Sequence, residues 1–165
     1  MLCFLKLGGS LITQKTRPHT ARRQVLARLS KEIATAITQR PDLRLIIGHG
    51  SGSFGHVVGK RHNTRNGVQT LEQWHGFVEV WQEARTLNQI VIETLRSASL
   101  PVIAFPPSAC VMAQDGKVLT WDLTPMRSAL AAGLIPVTFG DVVFDTVRGG
   151  TILSTEELFV YLAKR

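Results

Sequence analysis

At 165 residues, with 44% apolar and 19% charged side chains, the chain suits one folded domain with a continuous buried core. No apolar run reaches the length of a membrane span, and the start Met1 to Lys6 lacks the basic opening and long apolar stretch of a secretion signal. The formal charge of +7 is scattered over single lysines and arginines, apart from Arg22-Arg23 and Lys60-Arg61, without interleaved aromatics; that distribution argues against a nucleic-acid platform and fits an anionic small molecule.

In chain order, Cys3 to Leu7 is a short apolar run that stops at Gly8-Gly9-Ser10, as a buried strand entering a tight turn would. From Thr20 to Thr38 the positions Val25, Leu26, Leu29, Ile33, Ala36 and Ile37 recur at helical spacing, and Pro41-Asp42 ends that helix. Leu43 to Ile47 is a second strand running into the glycine-rich segment Gly48 to His56. The polar stretch from Lys60 to Thr70 reads as a loop or mobile lid, and Leu71 to Leu95 as a long helix with Val78, Trp81, Leu87, Val91 and Leu95 on its apolar face.

Pro101 to Phe105 is a third strand closed by Pro106-Pro107. Gln114 to Lys117 turns a hairpin between Cys110–Ala113 and Val118–Thr120. Thr124 to Ala132 is a short helix ended by Gly133, Pro136 to Phe139 is a strand ending at Gly140-Asp141, and Val142 to Thr146 stays extended. Glu156 to Ala163 is helical, with Ser154 or Thr155 as its N-cap.

Strands alternating with crossover helices predict an α/β fold: one domain, residues 1–165, with a largely parallel sheet sandwiched between helices and a β-hairpin. Ligands of such sheets bind beyond the carboxyl ends of the strands. Gly8-Gly9-Ser10, the Gly48 to Gly55 segment and Gly140-Asp141 should therefore converge on one edge.

Glycines there let the backbone approach an anion and offer it N–H groups. Lys6 reaches the same place as a point charge, and Lys15 supplies a second just past the turn. Four glycines in eight residues, with Ser51 and Ser53 between them and His49 and His56 at the flanks, exceed what a turn needs. The segment is neither a Walker motif nor a dinucleotide fingerprint, so a nest of amides at a helix start is the natural reading. His56 donates to a phosphate oxygen in this reading, while His49 is structural. Phosphoryl transfer needs two anions held in line and their charge neutralised; a phosphate-monoester acceptor is already a nucleophile, so no general base is required. The two cysteines, Cys3 and Cys110, form neither a disulfide scaffold nor a metal site, which points to a reducing cytoplasm.

With these residues in view the sequence resembles the amino acid kinase superfamily, and within it the isopentenyl phosphate kinases. The resemblance rests on Leu5 to Ser10 with Thr13-Gln14-Lys15, on His49 to His56, on Arg85 to Leu95, on Phe105 to Ser108 and on Pro136 to Val143. It implies phosphorylation of isopentenyl phosphate by ATP, with Mg2+, in isoprenoid biosynthesis by the alternative mevalonate route. It further implies a homodimer with no nucleic-acid or membrane partner. By the same resemblance Lys6, Lys15 and His56 are catalytic, and Gly50, Ser51, Gly52, Gly55, His56, Gly140 and Asp141 bind the acceptor. Lys6, Gly8, Gly9, Ser10 and Lys15 face the ATP phosphates, Phe77, Val78 and Trp81 wall the hydrocarbon tail, and no residue binds a metal.

The alternatives are a related kinase of another phosphate or phosphonate acceptor, and a non-catalytic phosphate-binding module. Where the family often has Ser-Gly-Asp-Asp this chain has Ser154 to Glu157. The resemblance places the C-terminal ATP-binding portion beyond Arg165, so little or no turnover is expected of these residues alone.

Overall fold

The computed structural model describes residues 1–165, and its first strand, β1 (Leu2–Leu7), lies parallel to β2 (Arg44–His49). β6 (Ile135–Phe139) sits beside β2, and β3 (Val102–Ala104) beside β6, giving a four-stranded sheet of order β1-β2-β6-β3 with every pairing parallel. All five residues of β6 are buried, as both faces of a covered parallel sheet require.

α2 (Arg23–Gln39) and α4 (Leu71–Ser97) pack on one face, where Leu26, Ile33, Leu87, Val91 and Leu95 meet Leu45, Ile47 and Val137. α4 starts cleanly because Thr70 and Gln73 form a reciprocal capping box. On the other face α6 (Thr124–Ala131) and α7 (Thr155–Leu162) bring Met126, Leu158 and Leu162 against Ile46. Gly133, at φ +77°, closes the turn after α6 as expected.

A second, mixed sheet has the order β5-β4-β7-β8. Its hairpin, β4 (Val111–Gln114) with β5 (Lys117–Trp121), turns through Asp115 and Gly116, both at positive φ. β7 (Asp141–Asp145) runs parallel to β4 and antiparallel to β8 (Gly149–Leu153), with the short α5 (Pro107–Cys110) leading into β4. β8 has no signal in the sequence: Gly149-Gly150 argues for a turn, but the strand forms by pairing along the whole of β7, and its glycines leave room for Val68 and the rings of Trp74 and Phe77.

Between β2 and α4 the chain forms the helix start expected there and then a loop. The glycine-rich stretch is mostly helix: after the short α1 (Gly9–Ile12) in the first loop, α3 (Gly52–Arg61) runs through Lys60 and Arg61. Its glycines serve packing, since a Cβ on Gly55 would meet Ser51 and one on Gly59 would meet Ile152. The following residues form a loop, as read from the sequence, and it is tied to the rest of the chain. A 3-10 turn at Thr64–Asn66 leaves Thr64 and Val68 buried, and the Val68 N–H donates to the Arg148 carbonyl at 2.8 Å.

Candidate active site

The three glycine-rich strand ends meet as predicted. Lys6 lies beside Gly48 and Leu7 beside His49 in the β1–β2 register, and the Gly140 N–H donates to the His49 carbonyl at 3.1 Å. The same carbonyl accepts the Thr155 hydroxyl at 2.6 Å, which ties the start of α7 to the end of β2. The first two loops touch backbone to backbone, so closely that a Cβ on Gly9 would stand 2.7 Å from the Gly52 nitrogen. Buried Thr13 rivets them: its hydroxyl donates to the Gly9 carbonyl at 2.7 Å and accepts the Ser53 N–H at 3.0 Å. The N–H groups of Gly9, Ser10, Ser51 and Gly52 have no acceptor within the chain, as at any helix start.

These loops border a cavity of about 1020 Å3. Lys6, Gly8, Gly9, Ser10 and Lys15 line it from the first loop, Gly50, Ser51, Gly52, Gly55 and His56 from the second, and Gly140 from the third. Sequence reasoning missed the rest of its wall. Lys60, Asn63, Arg65 and Asn66 come from the end of α3 and the turn beyond it; Leu153 to Glu156 come from β8 and α7; and Val57, Val80, Ala84 and Ile152 make an apolar side. Four basic side chains, Lys6, Lys15, Lys60 and Arg65, face a single acid in that lining, Glu156.

Lys6 pairs with Glu156, and its ammonium holds the Glu156 carboxyl below the usual carboxylate range. Arg65 pairs with Glu157 at 2.6 Å. Glu157 also closes the α7 capping box, accepting the Ser154 N–H through its other oxygen at 2.6 Å. The Ser53 hydroxyl, buried at the cavity wall, has no partner. His49 is structural, as expected. It is fully buried and stacked on Phe139, with Nε2 3.1 Å from the Asn88 amide oxygen, and burial pushes its pKa down.

Asp141 and the three tail residues lie elsewhere. Successive residues of a strand face opposite sides, so Gly140 borders the cavity while Asp141 turns toward α5, accepting the N–H groups of Ser108 at 3.2 Å and Val142 at 2.9 Å. Phe77, Val78 and Trp81 line a separate outer hollow of about 280 Å3 with Phe144. One helix serves both places: Val80 and Ala84, four residues apart, border the cavity, Phe77 packs with Val80 in one buried cluster on the same side, and Val78 and Trp81 face the outer hollow.

Burial pushes the Asp141 carboxyl up to about 6, and the N–H groups of Ser108 and Val142 only partly offset it. Because the folded value lies above the usual 3.8, this group's contribution to stability is full below that pH and is lost as pH rises toward about 6. The loss amounts to about 2–3 kcal/mol. Urea unfolding of Asp141→Asn should lack that decline between about pH 4 and about pH 6.5; parallel curves for the two proteins would remove the assignment.

The sequence profile of the amino acid kinase family matches residues 1–165. Isopentenyl phosphate kinase of Methanocaldococcus jannaschii is 34% identical over 169 residues, covering 99% of this chain and 64% of that protein. The enzyme of the same name from Methanothermobacter thermautotrophicus is 32% identical, covering 99% and 63%. The chain thus spans just under two thirds of the length of these relatives. A crystal structure of an isopentenyl phosphate kinase superposes with a TM-score of 0.91 at 31% identity, over 100% of this chain and 68% of the other. A substrate complex of an isopentenyl phosphate kinase gives 0.84 at 29% identity, over 99% and 66%. Aspartate kinase from Synechocystis, 12% identical with a TM-score of 0.63 over 95% of this chain and 24% of that one, shares the fold alone.

Proposed function

The chain belongs to the amino acid kinase family, and from that premise we propose that it carries the acceptor and transfer sides of an ATP-dependent isopentenyl phosphate kinase. In this reaction an oxygen of the acceptor phosphate attacks the γ-phosphorus of ATP, ADP leaves, and isopentenyl diphosphate forms. The observation that carries the reading is the cavity itself: unpartnered amides and an excess of cations beside an apolar wall of Val57, Val80, Ala84 and Ile152. That combination suits a phosphate monoester with a short hydrocarbon tail.

Each residue then has a role. His56 and the free amides of Ser51 and Gly52 hold the acceptor phosphate, the Gly50 N–H being taken by the Leu7 carbonyl at 3.4 Å, with Gly55 giving α3 its close approach. Lys6 bridges the two phosphates as charge moves between them, Lys15 steadies the ATP end, and Gly8, Gly9 and Ser10 offer amides to the transferring group. Gly140 borders the acceptor, and Asp141 acts only by anchoring the backbone next to it. The tail lies against Val57, Val80, Ala84 and Ile152 instead of Phe77, Val78 and Trp81. No three His, Cys, Asp or Glu side chains cluster so as to hold a metal ion; magnesium would arrive on the nucleotide phosphates, and no residue here is assigned to it.

Apolar side chains are a minority of the lining, which favours a second reading, a kinase of a more polar phosphorylated acceptor. Titration calorimetry separates the two. Burying even part of a five-carbon tail should make isopentenyl phosphate bind at least about tenfold tighter than inorganic phosphate; equal affinities would leave only the second reading. His56→Ala should weaken both ligands by about tenfold or more, and unchanged affinity would take His56 out of the site.

The proposal extends to a cytoplasmic homodimer. Free thiols at Cys3 and Cys110 support the location. The exposed apolar side chains Val78, Met112 and Phe144 around the outer hollow support the self-association. Sedimentation of a monomer alone at tens of micromolar would rule the dimer out.

A further inference from the structure

We infer that Arg65 is a further phosphate-binding residue of the cavity, one that recognises the diphosphate more than the monophosphate, and that Arg148 is its positioning residue. The inference rests on the phosphotransfer reading above.

The first turn of α7 presents two consecutive acids to two cations arriving from different elements. Lys6, near the end of β1, meets Glu156; Arg65, from the turn after α3, meets Glu157 at 2.6 Å. Both cations line the same cavity. In the reading above the acceptor phosphate already has His56 and the loop amides, so Arg65 is a cation left for a second phosphate. Glu157 takes up little of Arg65. The ion pair uses one terminal nitrogen of a guanidinium that carries five N–H donors, and the other Glu157 oxygen is committed to the Ser154 N–H. A planar fork with spare donors fits adjacent phosphate oxygens better than an ammonium does.

The backbone beneath Arg65 is clamped more firmly than a surface ion pair needs. Its carbonyl accepts the Thr151 hydroxyl at 2.8 Å and the Arg148 Nη1 at 3.2 Å. Arg148 is held in turn: Nε and Nη2 donate to Asp115 Oδ1 at 3.0 and 2.8 Å, its N–H donates to Asp145 at 2.9 Å, and its carbonyl accepts from Val68. The four N–H groups that Asp145 accepts outweigh its burial and hold its carboxyl below the usual range, so this anchor stays charged. A chain of contacts thus runs from the β4–β5 hairpin through Arg148 to the wall carrying Arg65. An exposed Arg–Glu pair is worth about 0–1 kcal/mol and gives no reason for such a clamp. A cation that must meet a ligand at a set place does.

The test uses inorganic phosphate and inorganic pyrophosphate in calorimetric titrations of the whole chain at low salt. Arg65→Ala should weaken pyrophosphate by about tenfold and phosphate by less than about twofold, with Arg65→Lys in between. Arg148→Ala should weaken pyrophosphate about threefold, and the double variant should bind no more weakly than Arg65→Ala, because Arg148 acts through Arg65. Urea midpoints confirm that each variant folds, and Arg65→Lys answers the question if the alanine variant does not. Four results would overturn the inference: no pyrophosphate binding by the unaltered chain, unchanged pyrophosphate affinity in the Arg65 variants, equal losses for both anions, or additive losses in the double variant, which would remove Arg148. If pyrophosphate responds as stated while isopentenyl phosphate binds no better than phosphate, the acceptor assignment fails and Arg65 stands.

Discussion

Under the proposed kinase reading, Lys6→Ala placed in a protein of the relatives' full length is expected to lower turnover of isopentenyl phosphate with ATP by about 10²–10³-fold, the usual cost of removing a donor aimed at developing charge. Lys6 lies on β1 beside Gly48, so its ammonium stands where the two glycine-rich loops approach each other, and its present partner is the exposed carboxylate of Glu156. An incoming phosphate can share or replace that partner at little expense, because exposed pairs are worth about 1 kcal/mol or less. For the same reason Lys6→Ala should leave the urea midpoint nearly unchanged. The effect should fall on kcat more than on KM, since the interaction strengthens as charge moves from one phosphate to the other. A loss of less than about threefold in kcat would show that Lys6 is not at the transferring group.

Gly52→Ala should be the most damaging small substitution for the fold of the site. Gly52 sits at φ +50°, a left-handed conformation that costs a residue with a Cβ about 1–2 kcal/mol. A Cβ there would also lie 2.2 Å from the Thr13 hydroxyl oxygen and 2.9 Å from the Gly9 carbonyl oxygen, in the contact that holds the two loops together. Overpacking of this kind adds about 1–3 kcal/mol, and either the backbone or Thr13 must move. Gly133→Ala is the control: φ is +77° but nothing lies within 4 Å of the added Cβ, so only the backbone penalty applies. Urea denaturation should therefore show Gly52→Ala losing clearly more stability than Gly133→Ala, with phosphate affinity lost in the first alone. Equal midpoints and intact phosphate binding in both would contradict the packing argument.

The glycine-rich strand ends and the lysines next to them were legible because each marks itself locally. A strand that stops at Gly8-Gly9-Ser10 or at Gly48 can only turn there, and a parallel sheet puts all such turns on one edge. The long helix, the hairpin and the cap at Ser154 were readable for similar reasons of period and turn chemistry. The helix start within Gly48 to His56 was readable too, but not that its glycines also meet the demands of helix packing, which sequence spacing does not distinguish from turns.

By itself, then, the sequence determined the α/β alternation, the family, and the glycine-rich turns and lysines that line the cavity. Tertiary structure alone decided which side of each element looks into the cavity. It turned Asp141 away while leaving Gly140 in place, and it put Val80 and Ala84 of α4 at the cavity with Phe77, Val78 and Trp81 at a separate hollow. It also brought Arg65 to Glu157 and Lys6 to Glu156, pairs separated by 92 and 150 positions in the chain. The reason is physical. Local pattern specifies the period of an element, but the direction a given residue faces depends on what packs against it, and those partners arrive from distant parts of the chain.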